Sequence, residues 1–266
     1  MTINKLSRKS RKLNEDRFII GKDFYLVIDG ATPLIKTSNI NLAHQMVSYI
    51  KKNITKEKGS LKEKLVILSK KMYKEFNLNS DDSAYLPSAS LAYVERRNDE
   101  LVIGTLGDCE VIVKDNLNTI TRFNSSDLSK LDNIAINKQV EVAKEKKIDV
   151  LNARSYIQDI LIKHRRLINK PNGYFAYTLN LDKLDIKETI IKNENIKEIY
   201  LYSDGFSQSF EHLNVYNTHE EMFSKSLDLD EEILKIKNQS FLDPYCDKYP
   251  RLKKIDDITV IKIELE

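Results

Sequence analysis

The chain has 266 residues, 41% hydrophobic and 31% charged, which is enough apolar material for one sizeable core. Its 43 basic side chains nearly balance 40 acidic ones, leaving +3, so composition points to neither a nucleic-acid partner nor a membrane surface. Cys109 and Cys246 stand far apart and outside any CxxC spacing, against a disulfide framework or a zinc site. The basic opening MTINKLSRKSRK is not followed by a signal-like apolar run, and no stretch approaches the roughly 18 apolar residues of a spanning helix. A soluble, cytoplasmic protein without a membrane partner is expected.

In chain order, RFII (17–20) and FYLVIDG (24–30) read as strands, the second ending in Asp-Gly. Ile40, Ala43, Val47 and Ile50 recur at helical spacing over 38–53, with Ser38 placed as the N-cap. A second helix is expected over 61–78, with Leu61, Leu65, Leu68, Met72 and Phe76 on one face. Residues 90–96, 100–106, 109–114 and 118–123 are short, β-branched runs separated by turn residues and read as an antiparallel meander. The segment 127–168 turns helical, with one stripe through Leu128, Leu131 and Ala135 and another through Ile157, Ile160, His164 and Ile168. Strands return at 174–179 and 198–205, helices near 218–226 and 229–239, and a strand closes the chain over 257–265. No repeat or Pro/Gly/Ser-rich spacer divides the sequence, so residues 1–266 are expected to form one domain.

The informative pattern is where the acidic residues fall. Asp29 ends an apolar strand before Gly30, and Asp204 does the same before Gly205. Asp108 follows Gly107 after another apolar strand, Asp256 begins the final one, and Asn14-Glu15-Asp16 precedes the first. Strands laid side by side would converge these carboxylates at one end of a sheet. Clustered carboxylates repel and raise one another's pKa unless a cation neutralises them. Hard oxygen donors with little Cys or His nearby suit Mg²⁺ or Mn²⁺. Taken singly, Asp-Gly after a strand is also a hairpin signal; the set and its order carry the argument.

That order resembles the PPM, or type 2C, family of metal-dependent serine/threonine protein phosphatases. The matching elements are Arg11-Lys12-Leu13-Asn14-Glu15-Asp16, Leu26-Val27-Ile28-Asp29-Gly30, Pro87-Ser88-Ala89-Ser90-Leu91-Ala92, Gly107-Asp108-Cys109, Ser203-Asp204-Gly205 and Asp256-Asp257-Ile258-Thr259. They span nearly the whole chain. The resemblance implies an α+β fold, a four-layer αββα sandwich of two antiparallel sheets flanked by helix pairs. It implies two Mn²⁺ or Mg²⁺ ions, with Asp29 as the bridge and Gly30 binding through its carbonyl. Asp204 and Asp256 would complete the first site, Glu15 and Asp16 would serve the second largely through water, and Asp108 with Asp204 would match a weaker third. Arg11 would hold the phosphoryl group, since a guanidinium fork fits phosphate oxygens. The implied reaction is attack of a hydroxide bridging the two ions on phosphoserine or phosphothreonine of a protein substrate, without a phosphoenzyme. A monomer is the expected state.

The sequence departs from the family in three places. Many members read Asp-Gly-His-Gly-Gly, whose histidine is thought to protonate the leaving alcohol, where this chain reads Asp29-Gly30-Ala31-Thr32-Pro33. His44 on the next helix is one replacement to weigh. Asp257 stands where the family has Asn, either strengthening metal binding or facing solvent, and Cys109 replaces a Ser. A non-catalytic binding module on the same fold, or a small-molecule phosphoesterase, are the alternative readings.

Overall fold

Period-two alternation of apolar side chains sorts the strands into two sheets with a shared interior. The computed structural model describes the whole chain apart from Arg11, Thr37, Ser38, Ser126 and Glu266. One antiparallel sheet runs β1 (Thr2–Arg8), β11 (Ile258–Glu264), β10 (Ile196–Tyr202), β6 (Glu110–Asp115), β7 (Ile120–Phe123). The other runs β2 (Asp16–Ile20), β3 (Phe24–Ala31), β4 (Ser88–Arg97), β5 (Glu100–Leu106), β9 (Lys187–Lys192), with the two-residue β8 (Tyr177–Thr178) paired to β4.

On β3, Tyr25 and Val27 enter the space between the sheets, where they join Ala92, Val111, Leu201 and Ile261. The alternate residues Phe24, Leu26 and Ile28 turn outward and pack with α1 (Leu42–Asn53) and α2 (Leu61–Glu75) through Met46, Val47, Ile50, Leu65 and Leu68. On the far sheet Tyr200, Tyr202, Ile258 and Val260 turn outward in the same way, onto α6 (Asp204–Glu211), α7 (His219–Phe223) and α8 (Leu229–Leu242). The four layers are therefore those expected, except that one outer layer holds three helices where a pair was expected. Between β7 and β8 the chain inserts α3 (Asp127–Lys146), α4 (Val150–Ala153) and α5 (Gln158–Arg165), which share a separate cluster through Ala135, Val142, Val150, Ile157 and Leu161.

Several sequence expectations are corrected. The middle strands are not one meander: β4 and β5 pair in one sheet, while β6 and β7 belong to the other. The chain crosses at Gly107, whose φ of +72° suits glycine, so that Cys109 and Val111 continue into the interior from the opposite side. The first helix begins at Leu42 with Asn41 as its cap, the Asn41 Oδ1 accepting the His44 N–H at 2.8 Å. Ser38, the expected cap, lies outside the described residues, and Ile40 is 55% exposed and not on the buried stripe. The expected strand at 174–179 shrinks to Tyr177–Thr178, and the strand expected to run through Asp204 stops at Tyr202. Strands β1 and β9 were not anticipated; both are polar edge strands without a clear apolar alternation.

The turn into α6 is tight. A Cβ on Gly205 would overlap the Asp257 carbonyl oxygen and press on Ile258 Cγ1 at 3.2 Å. Gly205→Ala is therefore expected to cost about 1–3 kcal/mol, seen as a lower denaturation midpoint at unchanged slope. An unchanged midpoint would show that α6 is not locked against the start of β11.

Candidate active site

The two sheets end together, and the acidic residues sit at that end. Asp16 and Asp29 lie directly opposite one another across β2 and β3, and Asp29 faces Ser90 across β3 and β4. Asp108 occupies the crossing between the sheets, its N–H donating to Ser90 Oγ at 3.2 Å. Asp204 opens α6, where the positive end of the helix favours a carboxylate. Asp256 lies two residues before β11. Glu15, Asp29, Asp108, Asp204 and Asp256 all line one cleft of about 350 Å³.

Hydrogen bonds fasten this end of the sandwich. Ser203 donates from Oγ to Asp16 Oδ2 at 2.7 Å, and Ser203 Oγ in turn accepts the Thr259 N–H at 3.0 Å, tying one sheet to the other. Asp257 neither binds at the cleft nor faces solvent: it is 5% exposed, and its carboxylate accepts Ser10 N–H (2.6 Å), Ser10 Oγ (2.8 Å) and Glu15 N–H (2.6 Å). It holds the loop before β2 onto the start of β11. Glu15 Oε1 accepts from Thr32 Oγ1 and Asn41 Nδ2, both at 2.6 Å. The Gly30 N–H donates to the Glu15 carbonyl at 3.0 Å, and a Cβ there would sit 2.8 Å from that oxygen. Ala31 occupies the place of the family histidine. His44 does not replace it, because its Nδ1 lies 2.7 Å from the Asn14 carbonyl and the residue is not part of the cleft lining. Arg11, expected to hold phosphate, lies outside the described residues.

The electrostatics are those of crowded acids. Burial, then repulsion from Asp16, Asp204, Asp108 and Asp256, pushes Asp29 well above the ordinary carboxylate range. Asp204 is pushed well up by burial and then by Asp256 and Asp108, partly opposed by Lys253 and a hydrogen bond from Asp29. Asp108 is raised by burial, against its contact with Ser90. Asp16, fully buried, is raised to about 7 by burial first, against the Ser203 bond. These groups are acidic oxygen donors with unmet demand for positive charge, and Asp204 Oδ1 and Asp16 Oδ1 are buried without a hydrogen-bond partner. Their chemistry fits a hard divalent cation. As they stand, no three His, Cys, Asp or Glu among the described residues are grouped as a metal cage. Both Asp256 oxygens are already engaged: Oδ1 accepts the Asp257 N–H at 3.0 Å, and Oδ2 pairs with Lys253 Nζ at 2.5 Å.

Other cleft residues escaped the sequence reading. Asp132 of α3 lines the cleft with Leu128 and Ile136, one turn to either side, and is raised to about 7 by burial and then by Asp108. An acid on an otherwise apolar helical stripe was the available signal. His164 shares a helical stripe with Ile157, Ile160 and Ile168 in the sequence, but it lines the cleft, with a buried, unpartnered Nδ1. Arg154, Arg165, His212 and Lys253 also line it, and nothing in their local spacing announces this.

The raised carboxylates set a pH dependence with a definite sign. Between about pH 4 and 7, Asp16 and Asp132 keep protons in the folded chain that the unfolded chain has released. Folding stability without added metal must then fall as pH rises through that window. In EDTA, Tm is expected to be several degrees lower at pH 8 than at pH 5, and saturating Mn²⁺ should shrink the difference. A Tm that rises over this window would contradict the assignment.

No protein-family model matches the sequence, and neither does any curated protein. Solved structures do. The serine/threonine phosphatase Stp1 from Staphylococcus aureus is 13% identical, with 99% of this chain and 94% of that chain covered at a TM-score of 0.58. The catalytic domain of the serine/threonine protein phosphatase PstP, in complex with two manganese ions, is 13% identical, with coverage of 99% and 97% at 0.57. PppA, a regulatory component of the type VI secretion system in Pseudomonas aeruginosa, is 13% identical, with coverage of 98% and 96% at 0.57. The four-layer fold implied by the resemblance to the PPM phosphatases is thereby borne out, and the fold of this chain is that of the bacterial serine/threonine phosphatases.

Proposed function

We propose that this chain is a phosphatase that hydrolyses phosphoserine and phosphothreonine on proteins with the help of two divalent cations, Mn²⁺ or Mg²⁺. The observation that carries the reading is the convergence of Asp29, Asp108, Asp204 and Asp256 on one cleft. The two manganese ions of the PstP catalytic domain support the choice of metal. Asp29 and the Gly30 carbonyl would help hold both ions; Asp204 and Asp256 would complete one site, Glu15 and Asp16 would serve the other, and Asp108 with Asp204 a weaker third. When bound, the ions would supply Lewis-acid charge beside the phosphate ester.

The chain's own side chains do the rest. Thr32 and Asn41 fix the Glu15 carboxylate, and Ser203 fixes that of Asp16. Arg11 is assigned the phosphoryl oxygens on the strength of the resemblance. Cys109 is fully buried, and burial followed by Asp29 and Asp108 pushes its thiol well up, so it does not act as a nucleophile. Ala31 offers no proton, so the departing alkoxide takes one from water. Loss of a positioned acid typically costs about 10²–10⁴-fold, and a slow enzyme is expected.

The purified chain should release phosphate from a phosphothreonine peptide and from p-nitrophenyl phosphate only when Mn²⁺ or Mg²⁺ is added. Asp204→Asn should lower the rate by more than about 100-fold, beyond the 10–100-fold typical of losing a ligand's supporting contact. Higher turnover of small phosphoesters than of phosphopeptides would reassign the substrate. A second reading, a non-catalytic module on this fold, is favoured by Ala31 and by the Lys253–Asp256 ion pair. It requires phosphopeptide binding with no phosphate release at any metal concentration.

A further inference from the structure

The Lys253 ammonium meets a proposed metal ligand directly, at 2.5 Å from Asp256 Oδ2. Lys253 lines the same cleft as Asp29, Asp204 and Asp256. The lysine therefore shares a cleft with the three carboxylates to which the first cation and the bridging position are assigned, and pairs with one of them.

Its placement is built in. The carbonyls of three consecutive residues are each held by a separate donor. Leu252 O accepts from Arg154 Nη1 at 3.0 Å, Lys253 O from Cys246 Sγ at 3.7 Å, and Lys254 O from Arg251 Nε at 3.1 Å. Arg251 is itself 2% exposed and locked to Asp243 Oδ2 at 2.7 Å and to the Asp243 and Tyr249 carbonyls, each at 2.7 Å. A fixed loop thus delivers the Lys253 side chain to the acids. That side chain is 35% exposed, so solvent reaches it.

We propose that Lys253 is an internal cation at the Asp256 end of the carboxylate cluster, and that a divalent ion loads there only by displacing it. The inference rests on the metal-site reading above. Lys253 neutralises the cluster when no metal is bound, keeps the cation-free protein folded, and weakens metal affinity by competing for the Asp256 oxygen. Catalytic competence then depends on the free concentration of Mn²⁺ or Mg²⁺, with the lysine setting the threshold.

The test is Mn²⁺ binding by isothermal titration calorimetry on the EDTA-stripped full chain, comparing wild type, Lys253→Met, Lys253→Gln, Lys253→Arg and Asp204→Asn. Lys253→Met and Lys253→Gln should bind Mn²⁺ about tenfold or more tightly than wild type, since a unit charge within 4 Å acts on this scale even at high effective dielectric. Lys253→Arg should stay near wild type, and Asp204→Asn should lose binding. Thermal unfolding supplies the independent readout. In EDTA the two neutral variants should melt below wild type, and Mn²⁺ should raise their Tm more than it raises that of wild type. Should a neutral variant prove unfolded in EDTA, its refolding on Mn²⁺ addition supports the counter-ion role. Unchanged or weaker Mn²⁺ affinity in both neutral variants, with Asp204→Asn still losing binding, would overturn the lysine's role and leave the metal site standing. Absence of Mn²⁺ binding in every protein would overturn both.

Discussion

Repulsion among the carboxylates at the end of the two sheets is the constraint around which this end of the molecule is organised. Two unit charges 4 Å apart repel by about 4 kcal/mol at an effective dielectric near 20. Within a single cleft, repulsion from Asp204, Asp108 and Asp256 adds to burial in raising Asp29, and repulsion from Asp256 and Asp108 does the same for Asp204. A fold that gathers them must hold the strand ends together against that repulsion and supply positive charge. The first demand is met by cross-links between the sheets. Ser203 joins Asp16 on β2 to Thr259 on β11, and Asp257 clamps the loop before β2. Gly205, packed against the Asp257 backbone, lets the turn into α6 come close enough for both.

The second demand is met in part by the chain itself. Lys253 reaches Asp256 from a loop that Arg251, Arg154 and Cys246 hold by its carbonyls. Buried pairs such as Arg251–Asp243 contribute little net stability, because desolvation offsets their attraction, but they fix geometry. Here that geometry aims an ammonium at a cluster whose chemistry suits a divalent ion. The same arrangement accounts for the lack of a ready-made metal cage among the described residues. Asp256 has spent both oxygens on protein donors, while Asp204 Oδ1 is still without a partner.

Much of this was legible in the sequence, for a physical reason. Strands that alternate apolar residues between two buried faces, such as Phe24–Ala31, announce themselves by composition, and an acid at the end of such a strand marks where the sheet stops. The two-sided burial of β3, β10 and β11 follows from that pattern, as does the position of Asp29. Edge strands do not carry it: Thr2–Arg8 and Lys187–Lys192 are held by backbone pairing, which side-chain periodicity does not report. The split of the expected meander turned on one glycine, Gly107, whose left-handed backbone sends the chain to the opposite sheet. At the cleft, the acids were found by their attachment to strands. Lys253, Asp132 and His164 were not, because their roles depend on tertiary placement of a loop and two inserted helices. Asp257 was misjudged for the same reason, since its three donors come from a segment nearly the whole chain away.

The central claim is that these aspartates hold divalent ions at the end of the sandwich. A crystal structure grown with Mn²⁺ and measured at the manganese absorption edge addresses it most directly. The account predicts two anomalous peaks in the cleft, with Asp29 between them, Asp204 and Asp256 on one, and the Lys253 ammonium displaced from Asp256. A cleft without anomalous signal at saturating Mn²⁺, with Lys253 still paired to Asp256, would contradict it.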